Sequence, residues 1–319
     1  MKILVTGACG FIGSNFVRHV LEKYPTYHVL NLDKLTYAGN LNNLKDIQEN
    51  SRYKFVKGDI CDRELVEKLI SDDIDFVVNF AAESHVDRAI RDASSFVQTN
   101  VYGTYVLLEA SRKYNVKKYL QISTDEVYSS VEKGSFRETD LLQPNNPYSA
   151  SKAAADTMTR SYNRTYGLFT LITRSSNNFG PFQYPEKLIP SFIIHLLKTE
   201  KVPLYGDGLN VRDWLFVLDN CEAIDLVLHK GISGEIYNIG AKNEKTNLEI
   251  AKIIVRELGK SEDFIIFVED RLGHDRRYSL NESKVKKLGW TPRNEYYSAL
   301  KKTISWYKDN EWWWKPLMK

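Results

Sequence analysis

Short apolar runs separated by helix-patterned stretches recur through the first half of the chain, and this alternation constrains the fold more than any other feature. Residues 3–5, 29–32, 53–56, 76–80, 119–122 and 169–172 read as strands, with helical periodicity over 64–70, 96–114 and 150–166. Strands that alternate with helices in this way belong to a parallel sheet covered on both faces. The expected fold class is α/β, a doubly wound parallel sheet.

The first strand runs straight into Gly7-Ala8-Cys9-Gly10-Phe11-Ile12-Gly13, which opens a helix. A turn this tight needs residues without Cβ, and the helix start offers N–H groups and partial positive charge to a pyrophosphate. Asp33 lies 20 residues past Gly13, at the end of the second strand. A carboxylate there accepts ribose hydroxyls and repels a 2′-phosphate, so the pattern points to NAD rather than NADP. Asp59 and Ile60, after the third strand, are placed to meet adenine. Ala81, Ala82 and Ser84 follow the fourth and line the path toward a cleft.

At 319 residues and 43% hydrophobic content, the chain exceeds what one core holds, about 250–300 residues, so a second, smaller lobe is expected. A net charge of +3 from 44 basic and 41 acidic side chains excludes a broad nucleic-acid footprint. Cys9, Cys61 and Cys221 are odd in number and unpaired in spacing, as in reduced, cytoplasmic proteins. The six histidines show no metal-ligand spacing, so no metal is expected. No apolar stretch approaches about 18 residues and the N-terminus carries no signal-peptide pattern, so a soluble chain without a membrane partner is expected.

After Arg174 the rhythm loosens. Residues 175–181 read as a loop, and 213–238 is expected to return to the sheet through a strand at 214–218, a helix, and a strand at 235–239. The predicted division is a dinucleotide-binding domain over 1–174 with a returning segment at 211–240. Residues 175–210 and 241–319 then form a discontinuous substrate-binding lobe. Trp312-Trp313-Trp314 reads as a terminal packing patch.

Thr124, Asp125 and Glu126 close the fifth strand, and Tyr148 follows 24 residues later with Lys152 four beyond it. Residues four apart share a helix face, so Lys152 is expected beneath Tyr148, biasing its phenol toward phenolate. Five groups suited to proton and hydride chemistry are thus expected in one pocket. The G-x-x-G-x-x-G turn with the Y-x-x-x-K pair resembles the extended short-chain dehydrogenase/reductases, which have a Rossmann sheet. The Thr-Asp-Glu triplet narrows the resemblance to the nucleotide-sugar 4,6-dehydratases. Motifs 123–128, 147–152, 176–181, 185–190, 212–214 and 237–240 are similar to those of the branch acting on dTDP-glucose.

The resemblance implies loss of water from a nucleoside-diphosphate glucose, most simply dTDP-glucose, to a 4-keto-6-deoxy sugar nucleotide, as in rhamnose-type deoxysugar biosynthesis. Tyr148 takes the C4 hydroxyl proton while bound NAD accepts hydride from C4. Lys152 and the cationic nicotinamide favour a phenolate whose ordinary pKa is near 10. Thr124 hydrogen-bonds the C4 oxygen, Glu126 removes the C5 proton, protonated Asp125 gives its proton to the departing C6 hydroxyl, and hydride returns to C6. It also implies Lys34, Thr36, Thr99 and Asn177 in the cofactor set, beside the glycine turn, Tyr148 and Lys152. For the substrate it implies Glu83, Ser84, His85, Thr124, Asn177, Glu186, Lys187, Leu188, Pro203, Tyr205, Asn247, His274 and Tyr278, with Arg212 and Arg271 suited to phosphate. A homodimer through helices at 94–114 and 149–166 is implied as well.

Three positions depart from the family pattern: Ser129 stands where glycine is usual, the loop 130–135 is short, and Leu272 replaces a common proline. A UDP- or CDP-sugar dehydratase remains open, since no motif fixes the base. A 4-epimerase lacks the acid and base, and a non-catalytic dinucleotide sensor has no need of them.

Overall fold

The computed structural model describes residues 1–270 and 273–318. The six expected strands are β1 (Lys2–Thr6), β2 (His28–Asp33), β3 (Tyr53–Lys57), β4 (Phe76–Asn79), β5 (Lys118–Thr124) and β6 (Thr170–Ser175). The remaining strands are β7 (Asn177–Phe179), β8 (Val202–Tyr205), β9 (Val211–Phe216), β10 (Ile236–Ile239), β11 (Glu244–Thr246) and β12 (Ile265–Val268). Seven of them form one sheet in the order β10-β6-β5-β4-β1-β2-β3, every neighbour parallel. Strand order reverses between β1 and β4, and at such a switch point the loops diverge to leave a crevice.

Both faces are covered. Phe16, Val17 and Val20 of helix Phe11–Lys23 pack with Ile224 and Leu228 of helix Val217–Lys230 on one side. Val66, Leu107, Leu108 and Tyr162, from helices Arg63–Ile70, Thr104–Lys113 and Pro147–Tyr166, cover the other. A separate cluster holds Phe192, Leu204, Trp214, Ile250, Leu300 and Ile304, with Trp313 and Trp314 fully buried in it.

Three local expectations change. The strand expected at 214–218 is β9, and it does not join the large sheet. It pairs parallel with β7 and antiparallel with β11, because β10 occupies the free edge of β6. The segment 175–181 therefore contains a strand where composition indicated only loop. The helix expected over 96–114 is interrupted by π-helix at Val97–Gly103. That wider turn accompanies the inward placement of Asn100, whose amide accepts from Glu83 N at 2.9 Å and donates to Ser151 Oγ at 2.8 Å.

A buried ionic network locks the elements around the crevice. Arg174 on β6 is 1% exposed; its Nε donates to Asp156 Oδ2 at 2.8 Å and its Nη1 to the Tyr128 hydroxyl at 2.6 Å. Tyr128 in turn donates to Asn238 Oδ1 on β10 at 2.9 Å. Burial works against the Arg174 charge, and Asp156 more than restores it. No described helix is long and apolar enough to cross a membrane, and all three thiols are free.

Replacing Asp156 by Ala leaves the guanidinium buried without its counter-charge. The expected loss is about 3–5 kcal/mol of folding stability, read from the denaturant midpoint. A loss below about 1 kcal/mol would show that the network does not hold the fold.

Candidate active site

The carboxyl ends of the parallel strands open onto a cavity of about 330 Å³. Its first wall is the glycine turn. Gly7 has φ +69°, and a Cβ there would stand 2.6 Å from Ala81 N at the end of β4. A Cβ on Gly13 would stand 2.7 Å from Gly7 O, so the turn closes only with glycine at both places. Gly10 begins helix Phe11–Lys23 and no side chain caps it, which leaves the helix start to an anionic ligand.

Asp33 ends β2 with its carboxylate fixed on both oxygens, Oδ2 accepting from Cys9 N and Oδ1 from Leu35 N, each at 2.8 Å. Burial raises its pKa, and those two N–H groups oppose the rise. Lys34 Nζ pairs with Asp59 Oδ2 at 2.7 Å. Every residue named for the cofactor from the sequence lines this cavity. The cradle that a Cβ would fill, the uncapped helix start and the fixed carboxylate fit a dinucleotide.

The opposite wall grows from β5. Thr124 caps the 3₁₀ turn Asp125–Tyr128: its Oγ1 accepts from Glu126 N and donates to Asp125 Oδ1, both at 3.2 Å. The turn buries Asp125 to 3% exposure, while Glu126 is half-buried. Helix Pro147–Tyr166 starts with a capping box between Asn146 and Ser149, Ser149 N donating to Asn146 Oδ1 at 2.9 Å. That start places Tyr148 in the first turn and Lys152 one turn later. All five expected reacting groups line the cavity.

Burial dominates the electrostatics. The Asp125 carboxyl is pushed up to about 8 by burial and then by the Glu126 charge, with Arg212 and the Thr124 hydroxyl opposing. Burial brings Lys152 down to about 8, with Asp156 opposing. Lys152 Nζ donates to Ile122 O at 2.6 Å, and the phenol is driven well above 10 by burial, Glu126 and Asp125, with Thr124 opposing.

Of the substrate set, Glu83, Ser84, Thr124, Asn177, Glu186 and Lys187 line the cavity. His85 stands behind Glu186, Nε2 to Oε2 3.3 Å. Leu188, Pro203, Tyr205, Asn247, His274, Tyr278 and Arg212 do not line it. Arg212 and Tyr278 are buried together, guanidinium over ring at 4.4 Å, and Arg212 Nη2 donates to Asp275 O at 2.9 Å. Tyr205 is exposed on β8, and His274 Nδ1 meets Asp270 Oδ1 at 2.6 Å. Arg271 and Leu272 lie outside the described residues.

Tyr37 and Tyr184 also line the cavity and were not expected there. Their rings meet edge to face at 5.4 Å, and the Arg88 guanidinium lies 3.7 Å from the Tyr37 centroid. The one sequence signal was position, a tyrosine four residues beyond Asp33 in the loop after β2.

Residues 4–303 match the family model described as GDP-mannose 4,6 dehydratase. The chain belongs to that family. Among its relatives, the low-salt glycan biosynthesis protein Agl12 of Haloferax volcanii is 53% identical, over 96% of this chain and 98% of its own. A dTDP-glucose 4,6-dehydratase of Bacillus anthracis, solved in complex with NAD, superimposes with TM-score 0.94 and 52% identity, covering 99% of each chain. One from Streptomyces venezuelae, solved with NAD bound, gives TM-score 0.97 and 48% identity, covering 99% of this chain and 100% of its own. These alignments take in both walls of the cavity.

Ser129, the departure from the family glycine, sits at φ 87° and ψ −164°, a region that is essentially glycine's. Its hydroxyl accepts from Asn145 Nδ2 at 2.8 Å. Replacing Ser129 by Gly releases strain and loses that bond, whereas Ala keeps the strain and loses the bond. The expected stability order is Gly above Ala, the reverse of the usual advantage of Ala by about 0.4–1 kcal/mol. Thermal melts of the two variants decide it, and an Ala variant more stable than Gly would refute the strain.

Asp125 also sets a pH dependence. Its folded-state pKa, about 8, is above the ordinary 3.8, so the folded chain holds a proton that the unfolded chain releases. The stability it contributes is fully present below about pH 4 and is lost as pH rises through about 8. Asp125→Asn should therefore gain on the parent protein at pH 8.5 relative to pH 5 in denaturant titrations. An equal difference at both values would contradict the assignment.

Proposed function

We infer that this chain is an NAD-dependent lyase that converts dTDP-glucose to its 4-keto-6-deoxy product by loss of water. The observation that carries the reading is Asp125, buried with its carboxyl pushed up to about 8, beside Glu126 in the cavity that Tyr148 and Lys152 also line. The full-length likeness to dTDP-glucose 4,6-dehydratases supports the choice of substrate.

The glycine turn, the start of helix Phe11–Lys23, Asp33 and Lys34 hold the cofactor. Bound NAD supplies a hydride acceptor for C4, the hydride returned to C6, and a positive charge in the cavity. Tyr148 accepts the C4 hydroxyl proton, and Thr124 hydrogen-bonds the same oxygen. With C4 a ketone, the C5 proton is acidic and Glu126 removes it. Asp125 gives its proton to the C6 hydroxyl as that C–O bond breaks and water leaves. Glu126 then returns a proton to C5, and the proton gained by Tyr148 balances the one Asp125 gave up. Net redox is zero.

Ser84 and Glu186 take the sugar side, with Asn177 and Lys187 toward the nucleotide diphosphate or its sugar. We assign cofactor binding to 1–174 with 211–240 and substrate binding to the remainder. A cytoplasmic homodimer fits the chain. Its two long helical elements, Ser94 to Lys113 and Pro147–Tyr166, carry Val97, Tyr102 and Tyr166 at 56%, 41% and 54% exposure.

The test is the double amide, Asp125→Asn with Glu126→Gln, which keeps shape while removing the acid and the base. On addition of dTDP-glucose, enzyme-bound NADH absorbance should accumulate, and dehydration should slow by roughly 10²–10⁴-fold per group. The parent protein should show no net NADH and should place solvent deuterium at C5 of the product. Dehydration by the amide variant at the parent rate would overturn the reading.

A further inference from the structure

The C-terminal tryptophan run is joined to the cofactor wall by a specific hydrogen-bonded chain. Trp313, 1% exposed, lies on the short helix Glu311–Trp314 at the far end of the sequence. Its indole Nε1 donates to Asn43 Oδ1 at 2.7 Å, across a sequence separation of 270. Asn43 Nδ2 then donates to Cys9 O at 2.8 Å, and Asn40 N donates to the same carbonyl at 2.9 Å. On the other side of the residue, Cys9 N donates to Asp33 Oδ2 at 2.8 Å. The chain therefore runs Trp313, Asn43, Cys9, Asp33, from the last helix to the carboxylate expected to meet the ribose.

The direction of each bond is fixed by chemistry. An indole N–H only donates and a backbone carbonyl only accepts, so the Asn43 amide has one orientation that satisfies both. Asn43 is 1% exposed, so bulk solvent does not reach its amide to replace either partner. Its backbone carbonyl accepts from Arg18, whose guanidinium lies 4.3 Å from the Phe182 centroid, and Phe182 packs edge to face on Trp313 at 5.9 Å. The terminal aromatic cluster thus grips the loop after β2 on two sides.

We propose that Trp313, acting through Asn43, is a positioning residue for the cofactor turn. It fixes the Cys9 peptide between the Asn43 amide and the Asp33 carboxylate, and so holds the glycine turn and the ribose acceptor in the relation that binds NAD. The inference rests on the reading of this wall as the NAD site. A packing patch alone would require the indole ring but not its N–H.

The test uses the full chain and NAD titrated by calorimetry or by quenching of tryptophan fluorescence. Trp313→Phe keeps an aromatic ring in the cluster and removes the donor; Asn43→Asp keeps the acceptor for Trp313 and turns a carboxylate oxygen toward Cys9 O. Each should weaken NAD about tenfold, the effect of stranding one buried hydrogen-bonding group, while leaving KM for the sugar nucleotide at saturating NAD unchanged. Combining them should weaken NAD little further than the stronger single change, because both cut one chain. A Trp313→Phe protein that melts lower yet binds NAD as the parent does would reduce Trp313 to packing, and multiplicative effects in the double variant would separate the two residues; either result overturns the proposal. If the parent protein itself binds no NAD, the assigned function fails first.

Discussion

The Arg174 guanidinium, held inside the protein by Asp156 and Tyr128, is the contact on which the site geometry rests. Asp156 belongs to the helix that carries Tyr148 and Lys152, and Tyr128 ends the 3₁₀ turn that carries Asp125 and Glu126. One side chain thereby ties the two elements that line this wall of the cavity to β6, and through Tyr128 and Asn238 to β10. A buried cation is costly to desolvate unless its partners are well placed. Rotation of the helix against the turn would part a charge from its counter-charge away from water, and the low dielectric makes the cost of small displacements steep.

The same burial tunes the chemistry. Burial first, and the Glu126 charge after it, push the Asp125 carboxyl up to about 8. That state suits a general acid at neutral pH. The phenol of Tyr148 feels the same surroundings and is raised as well, by burial and then by Glu126 and Asp125, with Thr124 opposing. Enclosure is the leading cause of the shift in both groups.

The parallel sheet was legible because its central strands are buried on both faces and leave short apolar runs such as residues 76–78. The cofactor wall was legible because glycine spacing and Asp33 report local backbone needs. What stayed hidden depends on tertiary surroundings. Asn177 and Asn178 have weak strand preference, and β7 exists through its pairing with β9. Asn100 is directed inward by a π-helical segment that no residue pattern marks. The relation of Lys152 to Tyr148 followed from helix spacing, but their ionisation is governed by desolvation, which spacing does not encode. Glycine at 129 was expected from the resemblance, and the serine present there adopts the glycine conformation. The backbone path is therefore dictated by the surrounding turn rather than by the residue occupying it.

Two carboxyl groups adjacent in sequence are an economical acid–base pair only if the backbone sends them in different directions. Consecutive residues in a 3₁₀ turn are separated by about 120°, close enough to serve one substrate and far enough to differ in burial. In a β-strand they would point to opposite faces, and one would leave the cavity altogether. The Thr124 cap starts the 3₁₀ turn at the residue where β5 ends, which turns Asp125 into the interior and leaves Glu126 at the half-buried wall. One capped turn thus gives two neighbouring carboxyl groups different surroundings without altering the parallel sheet behind them.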